Sequence, residues 1–169
     1  MRLITGIVTL TLMFSPSVLC GGELLRQGLF RIERSTNDNI IQYDAQIGRD
    51  GKLDSRKPVV GYWIRLAEQG QVKKLNFMQK KFAYGFKTSY NAVEDTAEIK
   101  MAANIGRSIT VRLVGCRFRA LTTIDGNLSY IEVIYIRARG KGIFTKVEYI
   151  ELHGIDAHTG AVRYERFNP

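Results

Sequence analysis

The chain has 169 residues, 45% of them hydrophobic and 24% charged. That composition excludes an intrinsically disordered chain and leaves room for one ordinary domain. With 16 glycines and 3 prolines it has many turns and no proline-rich linker, and its formal charge of +9 points away from polycationic partners and towards polyanions.

The first twenty residues have the layout of a secretory leader. Arg2 supplies a positive start, Leu3 to Phe14 is uncharged and apolar, and the small residues Ser15 and Ser17 follow. The apolar run is about 12 residues, short of the roughly 20 that a spanning helix needs. The reading is therefore a signal peptide over residues 1–20 and a single β domain over 21–169. No transmembrane segment is expected once the leader is removed, and the product is placed in the periplasm or cell envelope. A cut after Ser17 keeps Cys20, a cut after Cys20 removes it, and a lipoprotein cut before it would need a small residue where Leu19 stands. Cys116 is then alone or the partner of Cys20. A buried, inert thiol within a strand is the reading favoured for it. Loss of Arg2 takes the charge from +9 to +8.

Along the chain, strands dominate. Leu25 to Arg34 alternates apolar and basic residues, and Thr36-Asn37-Asp38-Asn39 marks a turn. Ile40 to Ile47 is a strand with Ile41, Tyr43 and Ala45 on one face. Gly48 to Lys57 is a loop tipped by Asp50-Gly51, and Val59 to Ala67 is a strand. Leu75, Met78 and Phe82 stand at helical spacing, so Leu75 to Tyr84 is one short helix, capped by Asn76 and ended by a left-handed Gly85. Phe86 to Tyr90, Asp95 to Ala103 and Ser108 to Phe118 return to strand. Asp125-Gly126 is a two-residue hairpin turn between Leu121–Ile124 and Leu128–Arg139. Lys146 to His153 and Val162 to Phe167 form a last pair around His158-Thr159-Gly160.

Short, evenly spaced strands of this kind predict a mainly β fold: an antiparallel small β-barrel or two-sheet sandwich of about nine strands with one short α-helix. An outer-membrane barrel fits the length but not the apolar residues on both faces of Leu128 to Ile136.

Several blocks carry a resemblance: Leu29-Phe30-Arg31-Ile32-Glu33-Arg34-Ser35, Gln42-Tyr43-Asp44, Pro58 with Tyr62-Trp63, Lys80-Lys81-Phe82-Ala83-Tyr84-Gly85, and Tyr149-Ile150-Glu151-Leu152-His153-Gly154 with Thr159-Gly160. In this order they resemble the exported bacterial proteins grouped as domain of unknown function family 4833. The resemblance implies a single exported domain and carries over no catalytic residue, cofactor or partner.

Among residues able to carry chemistry, His153 and Glu151 share one face of a strand, two apart, and fit a base with its orienting carboxylate. The competing reading is a structural histidine bonded to a backbone carbonyl. Two histidines without a cysteine cluster predict no metal site, and no cofactor is expected. There is no Gly-x-Ser-x-Gly elbow. A Cys116–His153 nucleophile pair would need neighbouring strands. Asp50-Gly51-Lys52-Leu53-Asp54 has only part of a calcium loop, with Lys52 opposing a cation, and reads as a solvated turn.

Tyr43, Asp44, Trp63, Lys81, Tyr84 and His153 combine flat amphipathic rings with polar groups and form the candidate ligand-binding set. Arg31, Arg34 and Lys81 are suited to carboxylate or phosphate. The function expected is a non-enzymatic binding module for an anionic or carbohydrate-like cell-envelope ligand, whether polymer, lipid or small molecule, with nucleic acid disfavoured. The alternative is a small hydrolase using His153 with a nearby carboxylate.

Overall fold

The computed structural model describes residues 25–102, 106–140 and 146–168. The expected leader with Cys20, and Ala103 at the end of an expected strand, lie outside the described residues. The elements run β1 (Leu25–Arg34), β2 (Asn37–Ile47), β3 (Val59–Arg65), a 3₁₀ turn (Leu66–Glu68), β4 (Gln71–Lys74), α1 (Phe77–Phe82), β5 (Phe86–Asn91), β6 (Thr96–Met101), β7 (Ile109–Val114), β8 (Arg117–Ile124), β9 (Asn127–Arg139), β10 (Lys146–Asp156) and β11 (Val162–Phe167). The fold is mainly β with one short helix, as the alternation predicts.

Two strands depart from the sequence reading. Ser108 to Phe118 is not one strand: Gly115, at φ 62°, and Cys116 make a tight turn that pairs Val114 with Arg117. Cys116 is consequently exposed, which corrects the buried thiol. The apolar alternation runs on through Leu113 and Val114, which hides the turn. β4 escapes notice for the opposite reason: all four of its residues are exposed, so it has no apolar face to read.

The strands form one sheet in the order β4-β3-β2-β1-β9-β8-β7-β6-β5, with β10 on β9 and β11 on β10. All pairs are antiparallel except β1 with β9, which is parallel, a departure from the all-antiparallel expectation. The two strands are far apart in sequence, so no hairpin constrains their direction.

The sheet curls so that side chains of β2 and β5, far apart in the strand order, meet. Tyr43 on β2 stacks on Phe30 of β1 at 4.6 Å and meets the Phe86 ring of β5 edge-on at 5.5 Å. The concave face holds the core: Ile32, Ile41, Ile99, Ile109, Val111, Ile124, Ile134 and Leu152 are buried there. Alternation puts every second residue of each strand on this face and its neighbour outside.

α1 is a single helical turn and a half, held at its start by a reciprocal cap. Asn76 accepts from the Gln79 amide at 2.9 Å, and the Gln79 side chain accepts from the Asn76 amide at 2.9 Å. Gly85 is not left-handed, which corrects the expected helix stop. Its role is close approach, because a Cβ there would lie 1.7 Å from the Lys80 carbonyl oxygen. Among the described residues no helix is long and apolar enough to cross a membrane.

Candidate functional site

β9 has two edges and three partners. β10 covers one edge from Ser129 to Arg139. The other edge is divided: β8 takes Asn127 to Tyr130, and β1 takes Val133 to Ile136. Between them, Ile131 and Glu132 face a seam where β8 and β1 diverge. Two bulges shape it. Glu132 is the extra residue opposite the consecutive pair His153 and Gly154, and Leu29 is the extra residue between Gly28 and Phe30 on β1. Gln27 spans part of the gap, its Oε1 accepting from the Phe118 amide at 2.8 Å. What remains open is a cleft of about 340 Å³, whose walls include Gly28, Arg31, Gln42, Arg117, Arg119 and Tyr130.

Arg31, Arg117 and Arg119 line this cleft together with one carboxylate, Glu132. On the outer face of the β7–β8 hairpin, Arg112 stands directly across from Arg119, and Arg117 lies two residues along the same strand. Like charges directly opposite one another destabilise a sheet by up to about 1 kcal/mol. Among the described residues, no carboxylate lies within ion-pair distance of any of the three. Other arginines of the chain are matched: Arg107 with Glu165 at 2.8 Å, Arg163 with Asp156 at 2.7 Å and Arg166 with Glu151 at 2.6 Å. Arg119 lies over the face of Tyr130, 5.2 Å from the ring centre. On the other flank of β8, a second depression of about 460 Å³ is walled by Arg107, Ser108, Thr110, Arg112 and Thr123. A basic stripe with a hollow on each side thus runs along β8. The sequence-derived set lacks these arginines because they are separated in the chain and fall in no charge run. Their available signals are the Asp125-Gly126 turn and the parity of β8, while the Gly115 turn, hidden in an apolar run, conceals the pairing.

The strand register also builds a second constellation on the outer face of β1, β9, β10 and β11. Glu33, Tyr135, Glu151 and Arg166 fall in one row across the four strands, and Arg31, Val133, His153 and Tyr164 in the next. Glu151 is the fixed point. Its Oε1 accepts from Arg166 Nη2 at 2.6 Å, Arg166 Nε at 2.9 Å and the Tyr164 hydroxyl at 3.0 Å, while His153 Nε2 lies 3.1 Å from its Oε2. Burial raises the Glu151 carboxyl, but the hydrogen bonds from Arg166, His153 and Tyr164 outweigh it in sum and hold it below the usual carboxylate range. An ionised carboxylate only accepts, so His153 Nε2 carries the proton in the neutral ring and Nδ1 is left as the acceptor. The His153 side chain is 40% exposed. With Glu33, Val133, Tyr135 and Glu151 it lines a shallow groove of about 300 Å³. The alternative of a histidine bonded to a backbone carbonyl is corrected by this carboxylate partner. Gly154, next to the bulge, permits the close packing of β10 on β9: a Cβ there would lie 2.2 Å from the Tyr130 carbonyl oxygen.

The six sequence-derived ligand residues do not share one cleft. Tyr43 is sealed in the core at 0% exposure, and its hydroxyl donates to the Tyr84 carbonyl at 2.8 Å. Trp63 and Tyr84 flank Arg34 at one end of the concave face, with the guanidinium 5.3 Å from the Trp63 ring and 5.0 Å from the Tyr84 ring, and Arg34 donates to the Tyr84 hydroxyl. Asp44 is the immediate neighbour of Tyr43 on β2 and therefore points the other way. It is buried behind the seam, accepting from the Tyr62 hydroxyl at 2.6 Å and from Gln42 Nε2 at 3.0 Å. Burial, then the Asp44 hydrogen bond and charge, push the Tyr62 hydroxyl up to about 12. Lys81 lies on the exposed helix with its ammonium 5.8 Å from the Phe77 ring. The parity of a strand separates Tyr43 from Asp44, and strands β1 and β9 lie between both of them and His153.

Cys116 lines an apolar groove with Leu25, Ile47 and Leu113, apart from the groove of His153, so the Cys116–His153 nucleophile pair is not assembled. In the Asp50 to Asp54 loop the carboxylates serve the turn: Asp50 accepts from the Lys52 amide at 3.1 Å and Asp54 from the Arg56 amide at 2.8 Å. Among the described residues, no group of three or more His, Cys, Asp or Glu side chains is placed to hold a metal ion.

No curated protein and no solved structure matches the chain. A family model matches residues 30–166, which span the seam, the arginine stripe and the His153 groove, and the chain belongs to the domain of unknown function family DUF4833.

Proposed function

We propose that this protein is a binding module for an anionic polymer of the cell envelope, and that the seam cleft and the β8 arginine stripe hold the ligand. One observation carries the reading: Arg112, Arg117 and Arg119 stand together with no carboxylate within ion-pair distance among the described residues, and Arg117 and Arg119 line, with Arg31 and Glu132, a cleft where the sheet divides. A guanidinium matches a carboxylate or phosphate with two parallel hydrogen bonds, and such charge-assisted bonds are the strong ones. The cross-strand repulsion between Arg112 and Arg119 is relieved when an anion sits between them. The net charge of +9 draws polyanions to the surface, and the stripe gives them an address.

The test is binding of the purified domain to peptidoglycan, lipopolysaccharide and anionic lipid vesicles as salt is raised. Binding at low salt that weakens as salt screens the contacts is expected. Arg117→Ala and Arg119→Ala each lower it by roughly tenfold, the loss of one charge-assisted hydrogen bond. Absence of binding to all three at low salt would refute the reading.

A further inference from the structure

We infer that the groove between Glu33, Tyr135 and His153 is a saccharide subsite, so that the polymer held by the arginine stripe is an acidic glycan. This rests on the anion-binding reading and specifies its ligand class.

Strand register sets the shape of the groove. Glu33 and Glu151 flank Tyr135 in one row, and His153 follows Val133 in the next. Adjacent strands are about 4.8 Å apart, so the backbones carrying Glu33 and Glu151 are separated by roughly 10 Å. Between them the floor is the Tyr135 and Val133 side chains, apolar in body, and the rim carries hydrogen-bond acceptors: the Glu33 carboxylate on one side, His153 on the other. A groove with an apolar floor and an accepting rim suits a ligand with a flat apolar face and an edge of hydroxyl donors. A sugar ring has that amphipathic form, and a lipid tail or a plain polyphosphate does not.

The acceptors on the rim are positioned before any ligand arrives. Glu151 is held by Arg166 and Tyr164 and in turn orients the His153 ring. The bulge at Glu132 lies opposite His153 and displaces the register there by one residue. A ring already fixed by a second group loses little freedom on accepting a hydroxyl, which is how preorganisation raises affinity.

Arg31 joins this groove to the anion site. It belongs to the row of Val133 and His153, it lines the seam cleft with Arg117 and Arg119, and its Nε lies 2.6 Å from Glu33 Oε1. A sugar in the groove that bears a carboxylate or phosphate brings that group to Arg31, and the next charged unit of the chain reaches the stripe.

The experiment compares polygalacturonate, polyglutamate, polyphosphate and phosphatidylglycerol vesicles at matched charge and low ionic strength. It uses the processed protein and its His153→Ala, Tyr135→Ala and Arg119→Ala variants, with folding of each confirmed by circular dichroism. Polygalacturonate is expected to bind about tenfold more tightly than polyglutamate. His153→Ala and Tyr135→Ala should remove that advantage and leave polyglutamate binding unchanged, while Arg119→Ala weakens both. Equal binding of the two polymers, or groove variants that bind polygalacturonate like the parent, overturns the saccharide subsite and leaves the anion reading standing. Vesicles or polyphosphate bound in preference to polygalacturonate likewise overturn it. If no polyanion binds, the anion reading itself fails and the subsite falls with it.

Discussion

Arg112 and Arg119 face each other across the β7–β8 hairpin, on the outer side of the sheet, and among the described residues no carboxylate pairs with either. Removing one charge should therefore act in opposite directions on stability and on binding. Arg112→Glu converts a repulsive pair into an attractive one and is expected to stabilise the fold by about 0.2–1 kcal/mol. The same change is expected to weaken polyanion binding by tenfold or more. Urea midpoints and a salt-dependent binding assay on one preparation check both signs, and a variant that loses stability and affinity together contradicts this account of the pair.

Tyr43 is predicted to matter for folding and not for ligand. Tyr43→Phe keeps the stack on Phe30 but deletes the hydroxyl that satisfies the buried Tyr84 carbonyl. A loss of about 1–3 kcal/mol is expected from the unmet acceptor. The denaturant midpoint should fall while polyanion affinity stays at the parental value, and a change in affinity alone would return Tyr43 to the binding set.

Stability should decline at both ends of the pH scale. Glu165 is held low by its Arg107 hydrogen bond, and Asp156 lies far below its ordinary range because the Thr159 and His158 amides and then Arg163 bond to it. Glu151 is depressed by its bonds from Arg166, His153 and Tyr164, against the opposing effect of burial. Groups with a depressed folded pKa stabilise the fold above the unfolded value and lose that contribution as the pH falls. The two glutamates therefore stop contributing progressively below their ordinary 4.5. The alkaline limb has the opposite sign. Tyr62 is raised from 10.0 to about 12, so its contribution is complete below 10.0 and is lost as the pH climbs through about 12. Tyr43 is raised by burial as well. Phenolate absorbance should show these tyrosines ionising late, alongside the unfolding transition. Denaturant midpoints across acid pH should fall less steeply for Glu165→Gln than for the parent.

Cys116 stands exposed in the β7–β8 turn. A thiol reagent should modify it in the folded protein without denaturant, and Cys116→Ser should change stability by no more than about 0.5 kcal/mol. A thiol that reacts only after unfolding would contradict the Gly115-Cys116 turn.

Much of the fold is legible in the sequence. Wherever one face of a strand is buried, the period of two shows directly, as in Ile41, Tyr43 and Ala45 or Ile109 and Val111. Turns with their own chemistry are legible for the same local reason: Asp125-Gly126 closes β8 on β9, and Asn76 caps α1. The exposed β4 and the turn hidden inside Ser108 to Phe118 are not legible, because neither interrupts an apolar pattern.

The candidate site divides along the same line. Its near-neighbour parts are visible in the chain: His153 and Glu151 are two apart on one strand, and alternation alone puts them on one face. Alternation also separates Tyr43 from Asp44, because adjacent residues of a strand point to opposite faces. The rest depends on which strands lie side by side. Arg31 meets Arg117 and Arg119 only because β1 and β8 share one edge of β9, and Glu33 joins Tyr135 and Glu151 only through the parallel β1–β9 pair. The amino-acid order determines which face each side chain takes, since that is a property of a single extended strand. Tertiary structure alone decides which faces adjoin, because strand order and register arise from packing between segments far apart in the chain.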